Sequence, residues 1–213
     1  MAASDHGANP ESKRAPHRTP RMWVLAGANG SGNSTFYQLM LEPRGVRWIN
    51  ADDIARTMWP ADPEGHAYAA AAVAAEQREA AVRAGIDFAT ETVFSHPSKL
   101  VLLHNARAAG YHVTLVYIHL ASPELNVARV AQRVAQGGHN VPQDKIIARR
   151  ARVQTLMGEA IAAADEAVIL DNSDDDNPFV VVARVSGGVV TYQADGLPPD
   201  VTDVLATVRN LGR

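Results

Sequence analysis

Short apolar runs alternate along this chain with longer segments in which apolar residues recur at helical spacing. The apolar runs predict five strands, at residues 21–27, 46–53, 86–92, 111–120 and 167–172. The segments between them predict helices at residues 34–42, 65–85, 97–109, 123–135 and 142–164. Strands that alternate with helices favour a mostly parallel sheet with helices on both faces.

The two ends of the chain depart from this alternation. Residues 178–193 contain two apolar runs joined by Gly187 and Gly188, which is typical of a β-hairpin, and residues 199–211 predict a last helix. Residues 1–20 are rich in Pro, Ser, Gly and charged residues but contain no apolar stretch, so we expect a flexible tail and no signal peptide. Residues 21–213 are then expected to form a single domain.

Composition narrows the classes of function. The chain has 213 residues, of which 46% are apolar and 20% charged, as in an ordinary globular protein. Its net charge of −3 gives no general attraction to nucleic acid or to anionic membranes. No apolar run approaches the length of about 20 residues that spans a bilayer. The absence of cysteine excludes a thiolate nucleophile and a cysteine-bound zinc site. We therefore expect a cytoplasmic protein without a nucleic-acid or membrane partner.

The segment VLAGANGSGNSTF, residues 24–36, carries the glycines of the phosphate-binding pattern G-x-x-x-x-G-K-[ST]. Such a loop binds phosphate through backbone N–H groups at the start of a helix. The residues expected to contact phosphate are Gly27, Ala28, Asn29, Gly30, Ser31, Gly32, Asn33, Ser34 and Thr35. Ser34 holds the hydroxyl position that binds Mg²⁺, but Asn33 stands in place of the lysine. Asparagine carries no charge, so the sequence predicts weakened phosphate binding and impaired phosphoryl transfer.

Polar residues also follow the other predicted strands. Asp52 and Asp53 follow the second strand, and Glu91 and Thr92 end the third. In parallel sheets ligands bind beyond these carboxyl ends, so we expect the residues to share one site with the loop. Two alternatives remain open: the aspartates cap a helix that begins near residue 54, or Glu91 forms a buried ion pair. The acidic segment at residues 171–178 lacks the glycine and glutamate of an EF-hand and is predicted to be a solvated loop.

Four segments, AGANGSGNSTF, INADDIAR, FATETVFSHPSKL and RVAQGGHNVPQDKIIARR, together resemble the zeta-toxin-like P-loop kinases. The resemblance runs in order through residues 22–172. It implies a three-layer α/β sandwich of the P-loop NTPase type, with a mostly parallel five-stranded sheet followed by the C-terminal hairpin. It also implies a kinase that uses ATP and Mg²⁺ to phosphorylate a hydroxyl of a small molecule, typically UDP-N-acetylglucosamine. Many members are toxins that an antitoxin protein holds in check.

The resemblance implies roles for individual residues. Asp52 matches the aspartate that accepts the proton of the acceptor hydroxyl, and Glu91 matches the acidic residue that positions substrate or metal. Thr92 or Ser95 would add hydrogen bonds to the substrate. Arg133 matches an arginine that contacts the phosphates.

Arg149 or Arg150, beyond the glycine-rich loop that contains His139, matches a second arginine at the phosphates. Asn33 is the one clear departure from the family pattern, and it leaves three hypotheses open. The chain is a kinase inactivated at Asn33, a nucleotide binder without turnover, or an enzyme in which an arginine replaces the lysine. An antibiotic is an alternative acceptor, because the same loop and aspartate would serve it.

Overall fold

The structure is a computed structural model that describes residues 18–94, 96–138 and 141–212. Most of the predicted tail lies outside these described residues, and so do Ser95 and His139. None of the helices in the described part of the chain is long and apolar enough to cross a bilayer.

A single sheet of seven strands, in the order β2-β3-β1-β4-β5-β6-β7, organises the described residues. The strands are β1 (Arg21–Ala26), β2 (Arg47–Ile49), β3 (Phe88–Thr92), β4 (His112–His119), β5 (Glu166–Asp171), β6 (Val180–Ser186) and β7 (Val189–Gln193). The first five are parallel, and β6 and β7 form an antiparallel hairpin at one edge. Gly187 and Gly188 make the hairpin turn with φ of 54° and 77°, which confirms that prediction.

Seven α-helices connect these strands in the described residues. They are α1 (Asn33–Phe36), α2 (Ala51–Met58), α3 (Ala67–Ala84), α4 (Ser98–Ala108), α5 (Pro123–Ala135), α6 (Gln143–Ala163) and α7 (Pro199–Leu211). Alternate residues of β1 face opposite sides of the sheet. Met22 and Val24 pack in the larger core with α3, α4, α6 and α7, whereas Leu25 packs in a smaller core with Tyr37 and Leu41. Both faces are therefore covered, as the alternation of strands and helices predicts.

Two boundaries differ from the sequence predictions. The second strand ends at Ile49, because the side chain of Asn50 accepts hydrogen bonds from the N–H groups of Asp52 and Asp53 and thereby caps α2. The cap is therefore Asn50 and neither aspartate. The helix after the glycine loop does not stop before the proline: a π-helical turn (Tyr37–Leu41) and a 3₁₀ turn (Glu42–Arg44) follow α1. Proline is tolerated in this first turn because it needs no N–H donor there.

The central position of β1 fixes the location of the site. Ala26, its last residue, lies opposite Thr92 of β3 on one side and Tyr117 of β4 on the other. The glycine loop that follows β1 is therefore flanked by the carboxyl ends of both neighbouring strands. Because the five strands are parallel, the residues that follow β2 and β5 lie along the same edge.

Candidate functional site

The phosphate loop (residues 27–34) connects β1 to α1 in a conformation that needs glycine. Gly30 and Gly32 have φ of 81° and 104°, in the left-handed region. A Cβ on Gly30 would lie 2.7 Å from the backbone oxygen of Asn126, and a Cβ on Gly32 would lie 2.6 Å from the Asn172 amide nitrogen. The loop is thus packed tightly against residues of α5 and of the segment after β5.

Two buried asparagines hold the carbonyl groups of this loop. Asn126 donates from Nδ2 to the carbonyl of Asn29, and Asn172 donates from Nδ2 to the carbonyl of Ser31, each at 2.8 Å. Both side chains are almost completely buried. The N–H groups of Gly30, Gly32 and Asn33 donate to no other group within the described residues. Held carbonyls and unpaired N–H groups are the arrangement by which such a loop binds an anion.

Asn33, at the lysine position, is buried and hydrogen-bonded within the site. Its Nδ2 donates to Oε1 of Glu91 at 3.1 Å, and its Oδ1 accepts from the Ser31 hydroxyl at 3.4 Å. Only 4% of the residue is exposed. The side-chain amide of Asn33 is therefore satisfied within a formed loop, and it places no positive charge there.

The carboxylate of Glu91 receives three hydrogen bonds from uncharged donors. Besides Asn33, the Ser34 hydroxyl donates to Oε2 at 3.3 Å and Asn50 Nδ2 donates to Oε2 at 2.7 Å. Across the described residues, no lysine, arginine or histidine pairs with this carboxylate. Burial raises the pKa of Glu91, and the nearby charge of Asp52 adds to this, against the bonds from Asn33 and Ser34. Glu91 is therefore a half-buried acid at the end of β3, beside the phosphate loop, and no cation of the described residues forms the ion pair that was one alternative.

The two aspartates at the start of α2 differ in their surroundings. The carboxylate of Asp53 accepts from Trp48 Nε1 at 2.7 Å and pairs with Arg56. The side chain of Asp52 is exposed and accepts no hydrogen bond from any described residue. Of the two, Asp52 is the one whose carboxylate has no hydrogen-bond partner within the described residues.

A cavity of about 430 Å³ opens in front of the phosphate loop. Its other walls are Glu91, the α5 residues Arg129 and Arg133, and the segment after β5 with Asn172 and Phe179. Its size lies within the range of small-molecule sites, about 300–1,000 Å³.

The segment after β5 was expected to be a solvated loop. Residues 174–178 are exposed, which confirms this prediction for them, but the segment also contributes to the cavity. Asn172 is buried, and Asp175 and Phe179 line the cavity. Phe179 has φ of 58°, which is uncommon for a residue with a side chain. Its ring and that of Phe36 form an edge-to-face pair with their centroids 5.5 Å apart. The pattern of aspartates gave no signal that the neighbouring Asn172 holds the phosphate loop.

The arginines expected at the phosphates separate into two groups. Arg133 lines the cavity, and Arg149 donates from NH1 to Oδ1 of Asn29 at 3.2 Å. The guanidinium of Arg150 is bound to Asp200 and Asn126 behind the loop. Arg129, which the sequence interpretation did not include, also lines the cavity and pairs with an acidic side chain of the segment after β5.

The remaining predicted substrate contacts lie at the end of β3. The hydroxyl of Thr92 accepts from the N–H of Phe94 at 3.2 Å, and Thr92 itself is buried. Phe94 has φ of 50°, so the chain turns sharply directly after the strand. Ser95 lies outside the described residues, and its expected contact stays a prediction.

Comparison with known proteins places the chain among AAA domains. The profile of the AAA domain family matches residues 22–156, well over half of the chain. An uncharacterised protein of Haemophilus influenzae is 30% identical over 131 residues, which are 58% of this chain and 93% of that protein.

Two solved structures share the fold at low sequence identity. The AvrRxo1-ORF1:AvrRxo1-ORF2 complex with ATP superposes with a TM-score of 0.64 at 14% identity, over 92% of this chain and 77% of that one. A structure from the PezAT chromosomal toxin–antitoxin system of Streptococcus pneumoniae gives a TM-score of 0.54 at 14% identity, over 94% and 91%. These likenesses confirm the predicted P-loop kinase-like α/β fold.

Proposed function

The chain belongs to the AAA domain family, and from this premise we propose that it is an ATP-dependent phosphotransferase of the zeta-toxin type. Its acceptor would be a hydroxyl group of a small molecule, with UDP-N-acetylglucosamine as the first candidate. Asn33 impairs the transfer in this sequence. Residues 21–213 would form the single kinase domain.

One observation carries this proposal. The phosphate loop, with unpaired N–H groups, opens to the same cavity as Glu91 and Arg133. The exposed carboxylate of Asp52 follows β2, the strand that pairs with β3. Phosphoryl transfer needs an anion-binding loop, cationic groups and an acceptor for the hydroxyl proton close together. The described part of the chain offers these groups along one edge of the sheet.

The mechanism follows from the residues along this edge. The triphosphate of ATP would bind to the loop N–H groups, with Arg133 and Arg149 neutralising the charge that develops on the transferred group. Asp52 would orient the acceptor hydroxyl and accept its proton as the bond to the γ-phosphorus forms. The bond between the γ-phosphorus and the β–γ bridging oxygen would break, with its electron pair remaining on that oxygen, so the products would be ADP and a phosphate monoester.

Mg²⁺ fits the donor set of this site. The Ser34 hydroxyl and the Glu91 carboxylate present oxygen atoms 3.3 Å apart, and oxygen is the ligand that Mg²⁺ prefers. Within the described residues no group of three or more acidic or histidine side chains converges, so ATP and water would complete the coordination. When bound, Mg²⁺ would supply positive charge at the β- and γ-phosphates.

Asn33 supports a second candidate function, a nucleotide-binding protein without turnover. Both polar groups of its amide are hydrogen-bonded in the loop, so the loop forms without a lysine. The lost charge would have acted on the transferred phosphate, where a positioned group of this kind is worth about 2.7–4 kcal/mol. Binding would then persist while transfer is slow.

The structural likeness to the PezAT toxin–antitoxin system also supports the proposal that a protein antitoxin binds this chain. Such a partner would be found by co-purification with the product of a neighbouring reading frame. An antibiotic acceptor remains the alternative within the same reaction type.

The acceptor is tested with the Asn33→Lys variant, MgATP and UDP-N-acetylglucosamine, by mass spectrometry of the products. The proposal predicts a product that is heavier by one phosphate, and its loss when Asp52→Asn is added to the same variant. If the variant binds MgATP but phosphorylates only an antibiotic, the acceptor is wrong. If it phosphorylates neither while MgATP binds, the chain is a nucleotide-binding protein.

A further inference from the structure

A partly buried polar relay, made of Asp200, Arg150 and Asn126, runs from the C-terminal helix to the phosphate loop. Asp200 lies in the first turn of α7 and accepts from Arg150 NH2 at 3.0 Å. Arg150 NH1 donates to Oδ1 of Asn126 at 3.1 Å. Asn126 Nδ2 in turn donates to the carbonyl of Asn29 in the loop at 2.8 Å. Three hydrogen bonds thus link helices α7, α6 and α5 to one loop carbonyl.

Asp200, at the start of this relay, accepts two further hydrogen bonds. Oδ2 of Asp200 also accepts from His119 Nε2 at 2.9 Å and from Gln154 Nε2 at 2.6 Å. Burial tends to raise the pKa of Asp200, but the bond from His119 and the charge of Arg150 outweigh it and hold the pKa below its usual value. Removing one member of such a network leaves buried partners unpaired, which costs more than the bond itself contributes.

The geometry also separates the roles of two adjacent arginines. Arg150 donates from NH1 to Asn126 and from NH2 to Asp200, and its side chain is only 12% exposed. Arg149, one residue earlier, reaches Oδ1 of Asn29 at 3.2 Å on the loop itself. Arg149 therefore contacts the loop directly, whereas Arg150 contacts it only through Asn126.

We propose that Asp200, Arg150 and Asn126 are positioning residues that fix the Asn29 carbonyl and with it the anion-binding shape of the phosphate loop. Helix α7 is then a working part of the site, although it lies outside the residues 22–156 that the family profile matches. The nucleotide readout of this inference rests on the proposed function, but the conformation of the loop does not.

The test compares Asp200→Asn and Arg150→Lys with a matched control, Asp165→Asn. Asp165 also pairs with an arginine, Arg107, at 3.0 Å, but it precedes β5 and so lies at the amino end of the sheet, away from the loop. Amide hydrogen exchange is measured at Ser31 and Phe36, whose N–H groups donate to the carbonyls of Ala28 and Gly32 in the loop at 3.0 Å and 2.8 Å. MgATP affinity is measured by calorimetry. The free energy of unfolding of each variant is measured alongside, so that general destabilisation is subtracted.

The relay predicts that both variants exchange faster at Ser31 and Phe36 than the control, by about 3- to 30-fold, and bind MgATP more weakly by a similar factor. Arg150→Lys keeps the positive charge but not the two-pronged geometry, so a role for charge alone would leave it close to the native protein. Faster exchange without any MgATP binding, even by the native chain, supports the relay and refutes the proposed function. Exchange equal to that of Asp165→Asn overturns the relay; if Asp200→Asn does not fold, Arg150→Lys decides.

Discussion

Replacing Gly32 of the phosphate loop by alanine should lower the stability of the protein. The φ of Gly32, 104°, is a conformation that residues with a side chain rarely adopt. A Cβ there would lie 2.6 Å from Nδ2 of Asn172 and 3.4 Å from the ring of Phe179. Nδ2 of Asn172 is the donor to the Ser31 carbonyl at 2.8 Å, so the methyl group must displace a buried hydrogen bond.

The cost of Gly32→Ala is the sum of two terms. Holding alanine in this region of the φ/ψ map costs about 1–3 kcal/mol. Displacing Asn172 weakens one buried hydrogen bond, which costs about 1 kcal/mol or slightly more because a buried group is left unpaired. We therefore expect the free energy of unfolding to fall by about 2–4 kcal/mol, a large fraction of the stability of a typical domain.

Gly45→Ala is the matched control, since Gly45 has φ of 70° and a Cβ there would meet nothing within 4 Å. Gly45→Ala places alanine in the same left-handed region but displaces no side chain, so the free energy of unfolding should fall by only about 1–2 kcal/mol. Urea unfolding followed by circular dichroism measures both variants. If Gly32→Ala costs no more than Gly45→Ala, the packing of Asn172 against the loop does not have the assigned role.

Further predictions concern the acidic residues of the site. Burial raises the pKa of Glu91 above 4.5, so the folded chain keeps a proton that the unfolded chain releases, and stability falls as the pH rises through this window. The Glu91→Gln variant lacks the ionising group, so the difference in unfolding free energy between the variant and the native chain should grow in favour of the variant by up to about 1.4 kcal/mol per pH unit above about pH 4.5. If the unfolding free energies of both proteins change with pH in parallel, the burial argument is contradicted. Asp53→Ala should lower the free energy of unfolding by about 1 kcal/mol through loss of the bond from Trp48. Asp52→Ala should change it by less than about 0.5 kcal/mol yet abolish transfer in an Asn33→Lys background; equal losses of stability would remove the distinction between the two aspartates.

Much of the fold could be predicted because local signals agree with the tertiary structure. Helix α5 begins at Pro123 after Ser122, whose hydroxyl accepts from the N–H of Leu125, and such caps are readable in sequence. Helix α3 ends at Gly85 with φ of 63°, as expected for a glycine after a helix. Helix α2 begins at Ala51 and not near residue 54. Asn50 directly follows an apolar run, so the sequence pattern assigned it to the strand and did not reveal that it caps the helix.

The candidate site could be predicted only in part. The glycine spacing predicted the phosphate loop, and the alternation of strands and helices predicted that Asp52 and Glu91 lie at the same edge of the sheet as the loop. The supports of the loop do not: Asn126 lies 97 positions beyond Asn29, and Asn172 lies 141 positions beyond Ser31. No local pattern marks a buried asparagine as the partner of a distant carbonyl, so these contacts emerge only from the packed structure.

The account depends most directly on the claim that Asn33 is what separates this chain from a working phosphotransferase. The decisive measurement is kcat for phosphate transfer to UDP-N-acetylglucosamine at saturating MgATP, for the native chain, Asn33→Lys and Asn33→Gln. Glutamine lengthens the side chain without adding charge. The account predicts that the lysine variant is at least about 100-fold faster than the other two. If all three bind MgATP with similar affinity and the lysine variant is no faster than the glutamine variant, the claim is contradicted.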